Sequence, residues 1–150
     1  MTAGAVSPFA FPHDEGERLV FGETTIIVRA AADSTDGSFT VLEELAPMLD
    51  TPSHVHSRED EMFYVVEGDH VFVCGDEEFQ LGPGGLVFLP RGTPHAHRRL
   101  VPGAGRLLSI LTPAGLEGFF RILAQATRSG APMDEAYARA SREYGITWLS

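Results

Sequence analysis

His54-Val55-His56-Ser57-Arg58-Glu59-Asp60-Glu61, followed downstream by Gly84-Gly85 and Pro90-Arg91-Gly92-Thr93-Pro94-His95, is the stretch on which the reading of this chain turns. Side chains alternate faces along an extended strand, so His54 and His56 point the same way and can clamp one ion. Glu61 lies five positions beyond His56, the wrong parity for one continuous strand. The polar Ser57-Arg58-Glu59-Asp60 segment supplies a turn that lets Glu61 open the next strand opposite the histidines. Beyond it, Phe63 and Val65 continue the inward face as an apolar wall for a substrate, and Gly68 permits a tight reversal. The Pro90 to Pro94 corner delivers His95 with little conformational freedom, which suits a ligand arriving from a distant strand. Three imidazoles and a carboxylate form a ligand set for one divalent transition metal ion, and Fe, Mn, Ni, Co, Cu or Zn each suit it. Only Glu61 of the acidic run falls in register, so Glu59 and Asp60 are expected to be solvated turn residues. His97 shares the parity of His95 and either faces the pocket, contacting substrate, or packs; His70 is expected to point outward.

Working outward, short runs of Val, Ile, Phe and Leu at 24–30, 39–46, 62–67, 70–74, 78–81, 86–89, 95–100 and 106–111 are separated by Gly, Pro and Asp clusters, the last of these clusters being 102–105. Turn signals at this spacing predict an antiparallel sandwich or barrel. After Pro113 the period changes: Leu116, Phe119, Phe120, Leu123 and Ala126 follow helical spacing, and Ser129-Gly130 stops the segment. A second helix is predicted from near Pro132 to Gly145, with Met133, Ala136, Tyr137 and Ala140 on one face. The two helices either cover the outside of the barrel or form a dimer contact. The expected division is an N-terminal arm (1–21, with structure beginning near Glu17), a β-barrel (22–112) and a helical tail (113–150).

The 150 residues suffice for one core. The net charge is −10, from 21 acidic and 11 basic residues, and every basic residue is arginine. With no basic stripe to neutralise phosphates, nucleic acid is not expected as a partner. No apolar stretch approaches the length of a membrane span, and the amino terminus has no basic-then-apolar leader, so a cytoplasmic protein with a small-molecule substrate is expected. Cys74 is the single cysteine, which rules out an intrachain disulfide, and its apolar flanks read as a core position rather than a nucleophile.

The two clusters resemble the paired motifs of the cupins: His54-x-His56-x4-Glu61-x6-Gly68, then Gly84-x5-Pro90-x-Gly92-x2-His95. The short connection between them and the helical tail are similar to small single-domain bacterial cupins of the quercetin-dioxygenase-like type. The resemblance implies an all-β fold, a double-stranded β-helix or jelly-roll-like barrel carrying two C-terminal helices, with His54, His56, Glu61 and His95 as metal ligands. It also implies a homodimer and a substrate of aromatic, enol or polyketide-like character. Three activities follow: a metal-dependent dioxygenase with Glu61 as proton acceptor, a non-redox cyclase, isomerase or decarboxylase, or a non-catalytic ligand-binding cupin. Met48 stands where the family motif has Gly and Arg99 where it has Asn, which affects the pocket rim. Arg58, Arg91, Arg98 and Arg99 either rim an entrance for an anionic substrate or pair with the acidic excess.

Overall fold

Runs of β-branched and aromatic residues pair wherever a turn residue lets the chain reverse, and the first such pair is β1 (Glu17–Phe21) with β2 (Thr24–Ala30). The computed structural model describes residues 6–101 and 105–149; the break expected at 102–105 therefore lies almost wholly outside the described residues. After β2 come α1 (Ala32–Thr35), β3 (Thr40–Leu45), β4 (Asp50–His56), β5 (Asp60–Glu67), β6 (His70–Cys74), β7 (Glu77–Leu81), β8 (Leu86–Leu89), β9 (His95–Arg99) and β10 (Arg106–Thr112). The tail holds α2 (Glu117–Ser129), α3 (Met133–Tyr144) and β11 (Ile146–Trp148). Residues 17–21, counted with the arm in the sequence, thus form a full strand of the sheet.

Two antiparallel sheets face each other, one ordered β1-β2-β3-β10-β5-β8 and the other β11-β4-β9-β6-β7. They are not joined by hydrogen bonds into a closed barrel, so the expected all-β fold takes the form of a jelly-roll-like sandwich with two C-terminal helices. Between the sheets Phe63, Val65, Phe72, Val87, Leu89 and Leu107 form one buried cluster. Each such side chain stabilises the fold by about 1.5–3 kcal/mol relative to exposure. A second cluster joins Leu19, Phe21, Ile26 and Val28 of the first strands to Leu116, Phe119, Leu123 and Ala140 of the tail. The helices cover the β1–β2 end of the sheet, and their apolar stripes share a core with it.

The tail is anchored by polar contacts as well. Glu117, buried at the start of α2, accepts hydrogen bonds from Ala32 N (2.8 Å), Thr40 Oγ1 (2.6 Å) and Gly115 N (3.1 Å). Burial opposes its ionisation, but these donors prevail and hold its pKa below the usual value. The helices approach closely at Gly118, where a Cβ would lie 1.9 Å from the Tyr144 hydroxyl. At Gly145 the backbone is left-handed (φ 71°), ends α3 and turns the chain into β11, which pairs with β4. No helix among the described residues is long and apolar enough to cross a membrane.

Candidate metal centre

His54 and His56 come from β4, Glu61 from β5 and His95 from the first position of β9. His54 and His95 stand opposite each other in the β4–β9 ladder, and a register shift between Thr51 and His54 marks a bulge beside the site. All four side chains are buried. One ring nitrogen from each of His54, His56 and His95 lies within 4.8 Å of the others. Glu61 is not part of that mutually close trio, but its Oε1 lies 3.8 Å from His56 Nε2 and 3.4 Å from His95 Nε2. Ser109 Oγ donates to Glu61 Oε2 (3.1 Å) and fixes the carboxylate.

The outward-facing nitrogens of the first two rings decide their tautomers. His54 Nδ1 faces the Pro52 carbonyl (2.8 Å), which can only accept, so Nδ1 carries the proton and Nε2 keeps its lone pair. His56 Nδ1 faces Glu59 Oε1 at 3.1 Å with the same consequence. Both His95 nitrogens are buried and have no hydrogen-bond partner. An orphaned imidazole nitrogen beside two convergent lone pairs and a carboxylate is costly, and a divalent cation would satisfy His95 Nε2 together with those three groups. The residues present therefore fit a metal ion of the borderline class.

Electrostatics hold two of the four ligands, Glu61 and His54, ready. Burial opposes the charge on Glu61, yet His56 and His95 pull its pKa down to about 2. Burial, with His95 nearby, lowers His54 to about 4, so it is neutral at pH 7. For His56 burial is outweighed by the Glu61 and Glu59 carboxylates, which raise its pKa.

One reading of the turn changes. Glu59 is not solvated: it is 4% exposed and binds the back of His56. Asp60 is held by Arg91, which donates from its backbone N (2.9 Å) and its guanidinium (3.2 Å). Arg98 pairs with Glu78 at the surface (3.3 Å), and Arg58 donates to the Glu143 carbonyl (2.8 Å).

The cavity above the centre is lined by His54, His56, Glu61 and His95, by Phe63 and His97, by Phe21, Leu116, Phe119, Phe120, Leu123 and Tyr137, and by Trp148. No arginine is among the described residues lining it. Phe63 and His97 thus face the cavity, whereas Val65 is packed into the inter-sheet core and is absent from the lining. His70 does not point outward; it is completely buried, with Nε2 on the Glu67 carbonyl (3.0 Å) and Nδ1 on His97 Nε2 (2.9 Å). The carbonyl forces the His70 proton onto Nε2, so His97 Nε2 must donate and His97 Nδ1 is left as an acceptor. Burial and then His70 lower His97 to about 3, which keeps it neutral. Sequence reasoning also missed Glu44, which lines the cavity from β3. Its parity with the buried Thr40 and Leu42 was the available signal.

A cupin-domain family model matches residues 41–111. Over 121 residues, 80% of this chain, the sequence is 35% identical to quercetin 2,3-dioxygenase of Bacillus subtilis (strain 168), but the match spans only 35% of that relative's length. Among solved structures, KdgF from Halomonas sp. superposes with a TM-score of 0.61 at 20% identity, covering 72% of this chain and 97% of that one. An RmlC-like cupin from Shewanella frigidimarina gives 0.60 at 20% identity, covering 72% and 92%. These last two likenesses concern the fold. With two facing antiparallel sheets, a converging histidine trio and a family match that spans both motifs, the chain is a cupin of the quercetin-dioxygenase-like type.

Proposed function

We propose that this cupin is a metal-dependent dioxygenase acting on a small neutral aromatic or enolic compound. The observation that carries the reading is the lining of the cavity: a metal-fitting trio at one end, aromatic and aliphatic walls, and no described cation to hold a carboxylate or phosphate. The relative named quercetin 2,3-dioxygenase supports the same class of chemistry.

His54, His56 and His95, with Glu61 as fourth ligand, would hold the ion. When bound, it would supply Lewis acidity toward an enol or phenol oxygen and, for a redox metal, electron exchange with dioxygen. Phe63 and the tail aromatics exclude water and orient a flat ligand by stacking. Glu61, ionised and braced by Ser109, is the carboxylate placed to accept the enol or phenol proton. A carboxylate so readily ionised is a weak base, suited to an acidified enol or phenol rather than to a free alcohol. A homodimer is part of this reading, supported by exposed Tyr64, Val66, Leu86 and Phe88 on the outer face of β5 and the edge strand β8.

The test is oxygen consumption by metal-loaded protein with quercetin and with simple β-diketones, alongside Glu61→Gln. Uptake by the wild type and its near-abolition in Glu61→Gln is expected. No uptake with any of Fe, Mn, Ni, Co or Cu, or full turnover with Zn under argon, would overturn the oxygenase assignment.

A further inference from the structure

Glu44 is the one carboxyl in the cavity that the metal centre does not employ. It lies beside Ile26 and Leu107 in the sheet, and the nearby wall includes Thr24, Ile26 and Met48. Among the described residues no hydrogen bond or ion pair reaches its side chain. Glu44 is half-buried, and no neighbouring side chain among the described residues satisfies its carboxyl. The position makes sense if the missing partner is the ligand. Burial, followed by the nearby Glu61 charge, raises the Glu44 pKa to about 8, so at neutral pH it is protonated and can donate as well as accept.

The ladder places Glu44 relative to the metal. Glu61 pairs with Leu111 of β10 and Glu44 with Leu107, a displacement of four residues or about 13 Å along the strand. His97 is two positions beyond His95, about 7 Å along β9. It is displaced in the same direction, since it pairs with Phe72, whose ring lies 5.3 Å from that of Phe63. The backbone positions of Glu61, His97 and Glu44 therefore succeed one another along the cavity.

We propose that Glu44 and His97 form a polar subsite that hydrogen-bonds a neutral hydroxyl or carbonyl group on the end of the substrate remote from the metal. The subsite rests on the aromatic-substrate reading above and narrows it to compounds that carry a second neutral hydroxyl or carbonyl group. His97 Nδ1 accepts a hydrogen bond from a hydroxyl; the Glu44 carboxyl both gives and takes one.

Trp148, the single tryptophan, lines the cavity and reports occupancy by fluorescence quenching. Two probes share the metal-facing 3-hydroxy-4-carbonyl edge and differ in their remote hydroxyls: quercetin and 3-hydroxyflavone. Wild-type protein should bind quercetin about tenfold more tightly, the effect of one satisfied buried hydrogen bond. The preference should fall to about twofold or less in Glu44→Leu and largely persist in Glu44→Gln, while Glu44→Leu melts no lower than wild type. Equal affinity of the wild type for both probes, or undiminished preference in Glu44→Leu, overturns the subsite and leaves the aromatic reading intact. Quenching by neither probe overturns both. A Glu44→Leu chain that does not fold makes Glu44 a structural residue and overturns the subsite as well.

Discussion

Replacing Glu59 by alanine should weaken metal binding far more than its place outside the ligand set suggests. His56 Nδ1 and Glu59 Oε1 are 3.1 Å apart, and both side chains are buried. The carboxylate fixes the tautomer that directs Nε2 inward and makes the ring a better donor. Its removal leaves a buried N–H without a partner and frees the ring to turn. Loss of such a partner costs about 10- to 100-fold in affinity, or about 1.4–2.8 kcal/mol. The assay is competition for Zn or Co against a chromophoric chelator. It is best run first at pH 8, where His56 protonation interferes least. Glu59 also helps to raise the His56 pKa, after Glu61, so in the variant protons compete less well for that ring. The wild-type advantage should therefore be largest at pH 8 and narrow toward pH 6. Glu59→Gln, which keeps an acceptor, should fall between the two. Wild-type affinity in Glu59→Ala at pH 8, or a deficit that widens as the pH falls, would refute the reasoning.

Glu117→Ala removes one acceptor from three donors and should cost about 3 kcal/mol, read as a Tm lower by roughly 6–12 °C; a Tm within about 2 °C of wild type would exclude the anchoring role. The raised pKa of Glu44 means that the folded state holds this proton more tightly than the unfolded chain. Its contribution is full below the ordinary value and is lost as pH rises through the window ending near 8, with a slope of up to about 1.4 kcal/mol per pH unit. Urea unfolding of wild type and Glu44→Gln across that window should diverge, and parallel profiles would contradict the assignment. Cys74 is partly buried against the inter-sheet core, and burial followed by Glu77 raises its pKa. Iodoacetamide at pH 8 should therefore label it slowly until urea is added, and rapid native labelling would count against that environment.

The histidine trio was legible because its code is local: a two-residue parity in β4 and a rigid corner before β9. Strands β2, β6 and β8 declare themselves by uninterrupted β-branched or aromatic runs. β4 is harder to see, since Pro52 lies inside it and only its last residues alternate cleanly. β11 is three residues long and stable only because β4 offers an edge. Glu59, His70 and Glu117 are charged or polar residues whose burial depends on partners distant in the sequence or across a turn. His70 meets His97 across the neighbouring strand, and Glu117 meets Thr40 from the far side of the chain. Such satisfaction is a property of tertiary structure, and no periodicity announces it.

The pairing of β11 with β4 also bears on how the protein is made. Trp148 lies opposite His54 in that ladder, with the two rings 4.9 Å apart, and Leu149 N donates to the Ser53 carbonyl at 2.9 Å. The strand carrying two of the three histidines is therefore flanked on one side by a segment that leaves the ribosome more than fifty residues after His95. During synthesis the earlier strands can pair while this edge of β4 remains open. Stable metal loading would then wait on β11, and a cut or substitution that frays this strand would be felt at the ion first.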